Sequence, residues 1–327
     1  MRVTMDVTPL AQTTAGTSRY INGLLRELRR RDDVSIRTRS FGGRARAWNL
    51  PRDAVWYPFV LGGATSDTDV LHCPTYRGPV VTRCAVVVTV HDLAIFRRPD
   101  AFHRWSRWYS PAVVPRVLRA ARMIIAVSQF TKRELVDVLC VQPEKIAVIP
   151  NAVDDAFGPE GPAAEGDYVL AVGTIEPRKN LGRVAEAARR VGLELRVVGA
   201  RGWGDVSVSG NGVRWLGDVR DEELARLYRG ARCVAYPSLY EGFGIPVVEA
   251  MACGTPVVTS RGGATEEVAD GAAVLVDPLD PVAIAVGIER ALAERDDLSR
   301  RGLERARRFT WSAVAESTVE VYREAAA

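Results

Sequence analysis

Two glutamates, Glu241 and Glu249, lie in the run Tyr240-Glu241-Gly242-Phe243-Gly244-Ile245-Pro246-Val247-Val248-Glu249. A strand-like stretch, 233–238, precedes this run, and a helix is expected to follow. Pro246 suits a first helical position, where a missing N–H costs nothing, and Gly254 suits the carboxyl-terminal cap. Gly242 and Gly244 allow the backbone to approach a ligand closely or to take positive φ. The uncapped amides of the new helix then face any anion in front of them. With one carboxylate in the loop and one in the first helical turn, both can point into one cleft. That layout suits the hydroxyls of a sugar or ribose beside a diphosphate. Taken singly, either glutamate reads as a solvated surface residue; the strand, glycines and proline around them favour a site.

A second cluster is Gly173-Thr174-Ile175-Glu176-Pro177-Arg178-Lys179-Asn180, between an expected strand and an expected helix. Adjacent cations at the carboxyl end of a parallel strand, beside a helix N-terminus, suit a diphosphate. Lys179 is one of only three lysines among 44 basic residues, so composition alone does not account for it. His91-Asp92 closes a further strand; alone, such a histidine is more often a packing residue. Gly16, in Ala15-Gly16-Thr17-Ser18, follows the first strand and is a weak signal by itself.

Three other patterns carry less. Asp67-Thr68-Asp69 has the spacing of a metal-binding D-x-D but runs directly into a core strand. Gly199-Ala200-Arg201-Gly202-Trp203-Gly204 lacks the G-x-G-x-x-G spacing of a dinucleotide fingerprint. Trp105, Trp108 and Tyr109 lie among Arg104, Arg107, Arg116, Arg119 and Arg122; an anionic membrane surface and ordinary aromatic core packing both fit them.

The elements that must position these residues alternate between strand-like and helix-like throughout, which predicts parallel sheets with crossover helices. Strands are expected at 2–8, 34–39, 70–73, 85–90, 123–127 and 146–149, then at 168–172, 195–198, 213–216, 233–236, 256–259 and 273–276. Ile21, Leu24, Leu25 and Leu28 mark one helix face; further helices are expected at 104–120, 129–139, 181–191 and 311–323. The Pro/Gly-rich run 155–167 reads as a linker. The expected class is therefore α/β, with two doubly wound Rossmann-like domains, 1–158 and 159–310, and a cleft between them where ligands of such sheets bind.

The 327 residues have room for two such domains, and 47% apolar with 26% charged residues are proportions of a soluble globular protein. No apolar run reaches membrane-span length, and no signal-peptide pattern opens the chain. Five scattered cysteines read as reduced core residues of a cytoplasmic protein. Three unclustered histidines argue against a protein-built transition-metal site. The net charge of +4 is uneven: residues 1–158 hold 23 Lys and Arg against 14 Asp and Glu, residues 159–327 hold 21 against 26. Different partners for the two halves are expected; nucleic acid is not among them, since no nucleic-acid module is recognisable.

In order along the chain, Gly16, His91-Asp92, Pro150-Asn151-Ala152-Val153-Asp154, Arg178-Lys179, Leu216-Gly217-Asp218-Val219 and Glu241/Glu249 resemble the retaining family 4 (group 1) glycosyltransferases of GT-B fold. The version at 173–180 is shared with mannosyl- and rhamnosyltransferases of polysaccharide assembly. The resemblance implies transfer of a hexosyl unit, mannose as first guess, from a nucleotide-diphosphate sugar such as GDP-mannose. The acceptor would be a carbohydrate or lipid-linked hydroxyl in cell-surface polysaccharide or glycolipid synthesis. No metal and no further cofactor is expected. It implies catalytic roles for His91, facing the transferred sugar, for Arg178 and Lys179, on the departing phosphates, and for Glu241, on the sugar hydroxyls. Gly16, Thr174, Gly242, Phe243 and Gly244 would line the donor, Glu249 would hold the ribose, and the backbone around Val219 would meet the base. A C-terminal helix, 311–325, would rejoin the first domain, whose basic surface would touch the inner face of the membrane. Thr174 and the single Gly16 depart from the common pattern, where many members have Arg and most have two glycines. A nucleotide-sugar epimerase and a non-catalytic nucleotide-sugar-binding protein remain as alternatives.

Overall fold

The computed structural model describes residues 1–327 apart from 13–15, 44, 46–47, 64, 66, 100–101, 103 and 203–211. Ala15, Trp203 and Gly204 of the loops considered above lie outside the described residues. All twelve expected strands are present, to within one or two residues at their ends. Short apolar runs bounded by turn residues are what a strand buried on both faces looks like in sequence.

The first sheet comprises β1 (Arg2–Asp6), β2 (Ser35–Arg39), β3 (Val70–Cys73), β4 (Ala85–Val90), β5 (Met123–Ala126) and β6 (Ile146–Val148), in the order β2-β1-β3-β4-β5-β6. The second comprises β7 (Tyr168–Val172), β8 (Glu194–Val198), β9 (Val213–Gly217), β10 (Cys233–Tyr236), β11 (Val257–Ser260) and β12 (Val274–Val276), in the order β12-β11-β10-β7-β8-β9. Every recorded pairing is parallel. The longer helices are α1 (Gly16–Leu28), α2 (Arg104–Ala120), α3 (Gln129–Leu139), α4 (Leu181–Arg190), α5 (Asp221–Gly230), α6 (Ile245–Ala252), α7 (Pro281–Ala293), α8 (Arg295–Ala306) and α9 (Trp311–Ala326). Not anticipated from the sequence is the helical stretch around Arg52–Val60, wound as a π-helix. Among the described residues no helix is long and apolar enough to cross a membrane.

The chain divides into two compact units, Met1–Ala152 with Trp311–Ala327, and Val153–Thr310. In the first, Ile21, Leu24 and Leu28 of α1 and Trp311, Val314, Val319 and Tyr322 of α9 cover one sheet face, while Val114, Val117 and Leu118 of α2 and Leu135 of α3 cover the other. Helices α1 and α9 meet so closely that a Cβ on Gly23 would lie 2.2 Å from Trp311 Cε2. In the second unit, Val184, Ala187 and Ala188 of α4 and Ile284, Ile288 and Ala291 of α7 share one core.

The Pro/Gly-rich run after Asp155, which reads as a linker, is packed onto the second unit. Arg229 donates to Pro162 O and Gly158 O at 2.8 and 3.1 Å, and Ala164 N–H donates to Arg226 O at 3.0 Å. Phe157 packs edge-on to Tyr228. The division accordingly falls at Ala152/Val153, ahead of that run. In each sheet the strand order reverses once, between β1 and β3 and between β7 and β10. The crevice at the carboxyl ends beside such a reversal is where open α/β sheets bind ligands.

Candidate active site

In the second unit, Gly173 follows β7 at φ 140°, and a Cβ there would lie 3.0 Å from Lys179 Cε. The bare backbone lets the lysine stem lie across it. A single turn, Pro177–Lys179, then carries Arg178 and Lys179 round to α4, with Asn180 at φ 60° between turn and helix. Asn180 is buried, and its Nδ2 donates to Pro237 O at 3.0 Å and to Pro278 O at 2.6 Å. Leu239 N–H donates to Arg178 O at 2.9 Å. The loops after β7 and β10 are thus tied together across the strand-order reversal.

That tie brings Arg178, Lys179 and Glu241 into one cluster. Lys179 Nζ donates to Glu241 Oε1 at 2.7 Å and to Tyr236 Oη at 2.6 Å. Arg178 Nη1 donates to Glu241 Oε2 at 2.9 Å and to Tyr240 O at 3.0 Å. Its Nε and Nη2 donate to Glu176 Oε1 at 3.1 and 2.6 Å. The side chains of Glu176, Glu241 and Lys179 are 3%, 10% and 11% exposed, so these charges act on one another with little screening by water. Burial alone would raise the Glu241 carboxyl, but Arg178 and Lys179 outweigh it and hold it at about 2. Burial lowers the Lys179 ammonium below its usual range, against the pull of Glu241.

The donors divide the two cations by role. Four of the five Arg178 N–H groups are committed to Glu176, Tyr240 and Glu241. Arg178 therefore holds Glu241 in place. Lys179 uses two of its three protons on Glu241 and Tyr236, and among the described residues the third has no partner. Glu176, Tyr236 and Asn180 are the parts that sequence reasoning missed. Glu176 and Asn180 stand inside the quoted 173–180 block, so the signal was there to read.

The expected α6 begins at Ile245, with Gly244 at φ 101° before it and Pro246 in its first turn. It closes with Thr255 N–H on Ala250 O at 2.9 Å and Gly254 N–H on Met251 O at 3.0 Å, a Schellman end. Gly242, Phe243 and Gly244 are all buried, and the Phe243 ring packs edge-on to Phe309. Glu249 is the fifth residue of α6, 2% exposed, and accepts from Tyr228 Oη at 2.8 Å. Thr174 packs against Gly202, and Val219 is half-buried beyond β9. Among the described residues neither hydrogen-bonds to the Glu176–Arg178–Lys179–Glu241 cluster.

In the first unit, Gly16 is the first residue of α1. His91 follows β4, partly buried, with Nε2 3.0 Å from Pro74 O. A carbonyl can only accept, so Nε2 carries the proton and the neutral ring keeps its lone pair on Nδ1. Burial pushes His91 below its usual pKa, with Asp92 opposing, which favours that neutral form. The D-x-D pair serves pairing: Asp67 with Arg37, and Asp69 with the Arg2 N–H at 2.7 Å and its guanidinium at 2.9 Å. Among the described residues no group of three or more His, Cys, Asp or Glu is placed to hold a metal ion.

Two six-stranded parallel sheets flanked by helices, with a buried ion-paired cluster at the strand-order reversal of the second, make a pair of Rossmann-like units. Residues 153–309 match the Glycosyl transferases group 1 family and residues 14–157 match Glycosyltransferase Family 4. The chain is 32% identical over 282 residues to the O-antigen chain mannosyltransferase B of Escherichia coli, covering 78% of this chain and 74% of that protein. It is 31% identical over 307 residues to the MMP alpha-(1->4)-mannosyltransferase of Mycolicibacterium hassiacum, covering 82% and 73%. Its fold superposes on the sucrose-phosphate synthase from Thermosynechococcus elongatus with a TM-score of 0.77 at 21% identity, over 99% of this chain and 98% of that one. The chain belongs to the family 4 (group 1) glycosyltransferases.

Proposed function

We propose that the protein moves a hexosyl unit, mannose, from a nucleotide-diphosphate sugar to an acceptor hydroxyl with retention at the anomeric carbon. The observation that carries this is the Glu176–Arg178–Lys179–Glu241 cluster, with one Lys179 proton left to donate. As the glycosidic bond breaks, positive charge grows on the sugar and negative charge on the diphosphate. Lys179 and the positive amino-terminal end of α6 stabilise the departing diphosphate. Glu241, kept ionised, accepts from sugar hydroxyls; Glu249 takes the ribose, and the backbone near Val219 the base. Neutral His91 offers Nδ1 to the transferred sugar.

Both Glu241 oxygens face cations, and a carboxylate held at about 2 is a weak nucleophile. That favours same-face attack by the acceptor over the two-carboxylate route of retaining glycosidases. No metal and no cofactor beyond the donor enters this scheme. The mannosyltransferases among the relatives support mannose; GDP is the nucleotide this reading assigns to the donor. The acceptor is a carbohydrate or lipid-linked hydroxyl of a cell-surface polysaccharide or glycolipid, met at the cytoplasmic face of the membrane.

The test is radiolabel transfer from GDP-mannose to lipid-linked saccharides by the full chain. Lys179→Ala and Glu241→Ala should each lose transfer by about 100-fold or more while keeping the fold. Full transfer by both variants sinks the site assignment, and an inverted anomer in the product sinks retention.

A further inference from the structure

A buried chain of polar groups runs through the first unit and ends against His91. Tyr322 Oη, on α9, lies 2.7 Å from His72 Nδ1, on β3. His72 Nε2 lies 2.8 Å from Thr89 Oγ1, on β4, and that hydroxyl lies 3.0 Å from Tyr20 Oη, on α1. All four side chains are fully buried. Burial pushes the His72 imidazole down to about 3, so it is neutral and carries one N–H. Two proton arrangements then satisfy the chain, one running from Tyr20 toward Tyr322 and one the reverse. In both, every link has one donor and one acceptor.

Side chains two apart on a strand share a face, so His91, just beyond β4, follows Thr89 on the side that Tyr20 occupies. Tyr20 meets both: its hydroxyl is on Thr89, and its ring lies 4.9 Å from the His91 ring at 80°. His91 is therefore held twice, by Pro74 O on Nε2 and by the Tyr20 ring against its own. We propose that Tyr20 is a positioning residue for His91, locked by the Thr89–His72–Tyr322 chain, so that the last helix of the sequence sets the aim of His91. The consequence for catalysis rests on the reading of His91 as the residue that faces the sugar.

With only three histidines in the chain, their imidazole NMR signals can be assigned by single substitution and titrated directly in the full protein. Tyr20→Leu should move the His91 titration up toward 6.5, since water replaces the ring, and lower kcat about tenfold with donor KM little changed. Tyr20→Phe keeps the ring but cuts the same Thr89 bond, so it should shift both only part of the way and far less than Tyr20→Leu, while its lost hydroxyl lowers the melting temperature. An unmoved His91 titration with unmoved kcat in Tyr20→Leu overturns the proposal. So does Tyr20→Phe behaving like Tyr20→Leu. Should Tyr20→Leu not fold, Thr89→Val cuts the lock at near-constant shape and should shift His91 part of the way; no shift there is equally fatal. His91→Gln retaining full transfer would instead defeat the reading of His91, with the NMR result for Tyr20 standing apart from it.

Discussion

Glu241 is held as an ion by two cations it must also serve, and its pH behaviour follows from that. Its folded pKa, about 2, lies below the ordinary 4.5, so its stabilising contribution is complete above 4.5 and is lost as pH falls toward 2. Asp6, fully buried at the end of β1, is pushed the other way, from 3.8 up to about 6, by burial that the Thr8 bonds only partly offset. Its contribution is complete below 3.8 and is lost as pH rises through 6. In melting curves, Glu241→Gln should be less stable than wild type at neutral pH, with the gap closing as pH falls from 4.5 toward 2. Asp6→Asn should flatten the profile between 3.8 and 6. A Glu241→Gln gap that does not depend on pH would contradict the ion pairing. Sequence alone pointed to Arg178, Lys179 and Glu241, because adjacent cations beside a helix N-terminus suit a diphosphate, and the strand, glycines and proline around Glu241 favour a site over a solvated turn. It did not point to Glu176, since a glutamate before a proline in a loop looks solvated until tertiary packing buries it.

At the scale of elements, the strands were legible because parallel strands are short apolar runs between turn residues. The helix at 245–252 was legible from its glycine and proline punctuation. Two things were hidden. The π-wound stretch Arg52–Val60 has neither helical nor strand periodicity, and the run after Asp155 has linker composition but takes its order from the Arg229 side chain and the Arg226 carbonyl. Two substitutions test how elements hold the site. Asn180→Ala removes bonds to Pro237 O and Pro278 O and should cost about 1–3 kcal/mol in denaturant titration. It should also raise donor KM, because the two site loops lose their tie; an unchanged KM would show that the tie is structural only. Gly23→Ala would drive a methyl into the Trp311 ring and should cost about 1–3 kcal/mol. Its tryptophan fluorescence should shift as α9 loosens, and an unshifted spectrum with full stability would contradict the α1–α9 contact.

At the scale of the molecule, the excess of basic residues lies in the first half, and the first unit exposes apolar side chains beside them. Trp108 is 70% exposed among Arg104, Arg107, Arg116 and Arg119, and Phe59 is 67% exposed. Tyr109 is in the core instead, its hydroxyl on Asp53 O at 3.0 Å, so the aromatic run divides between packing and surface. Contact with an anionic bilayer should appear as co-sedimentation with vesicles containing anionic phospholipid, weakened by salt and by Trp108→Ala or Phe59→Ser. Equal sedimentation with neutral vesicles would count against it. The central claim is narrower: the Lys179–Glu241 cluster binds the diphosphate of a nucleotide sugar. Calorimetric titration with GDP, UDP, dTDP and ADP, on wild type and Lys179→Ala, tests it most directly. The account predicts one preferred base, GDP, with binding weakened about tenfold or more by Lys179→Ala; equal affinity in the two proteins, or no binding of any of the four, would contradict it.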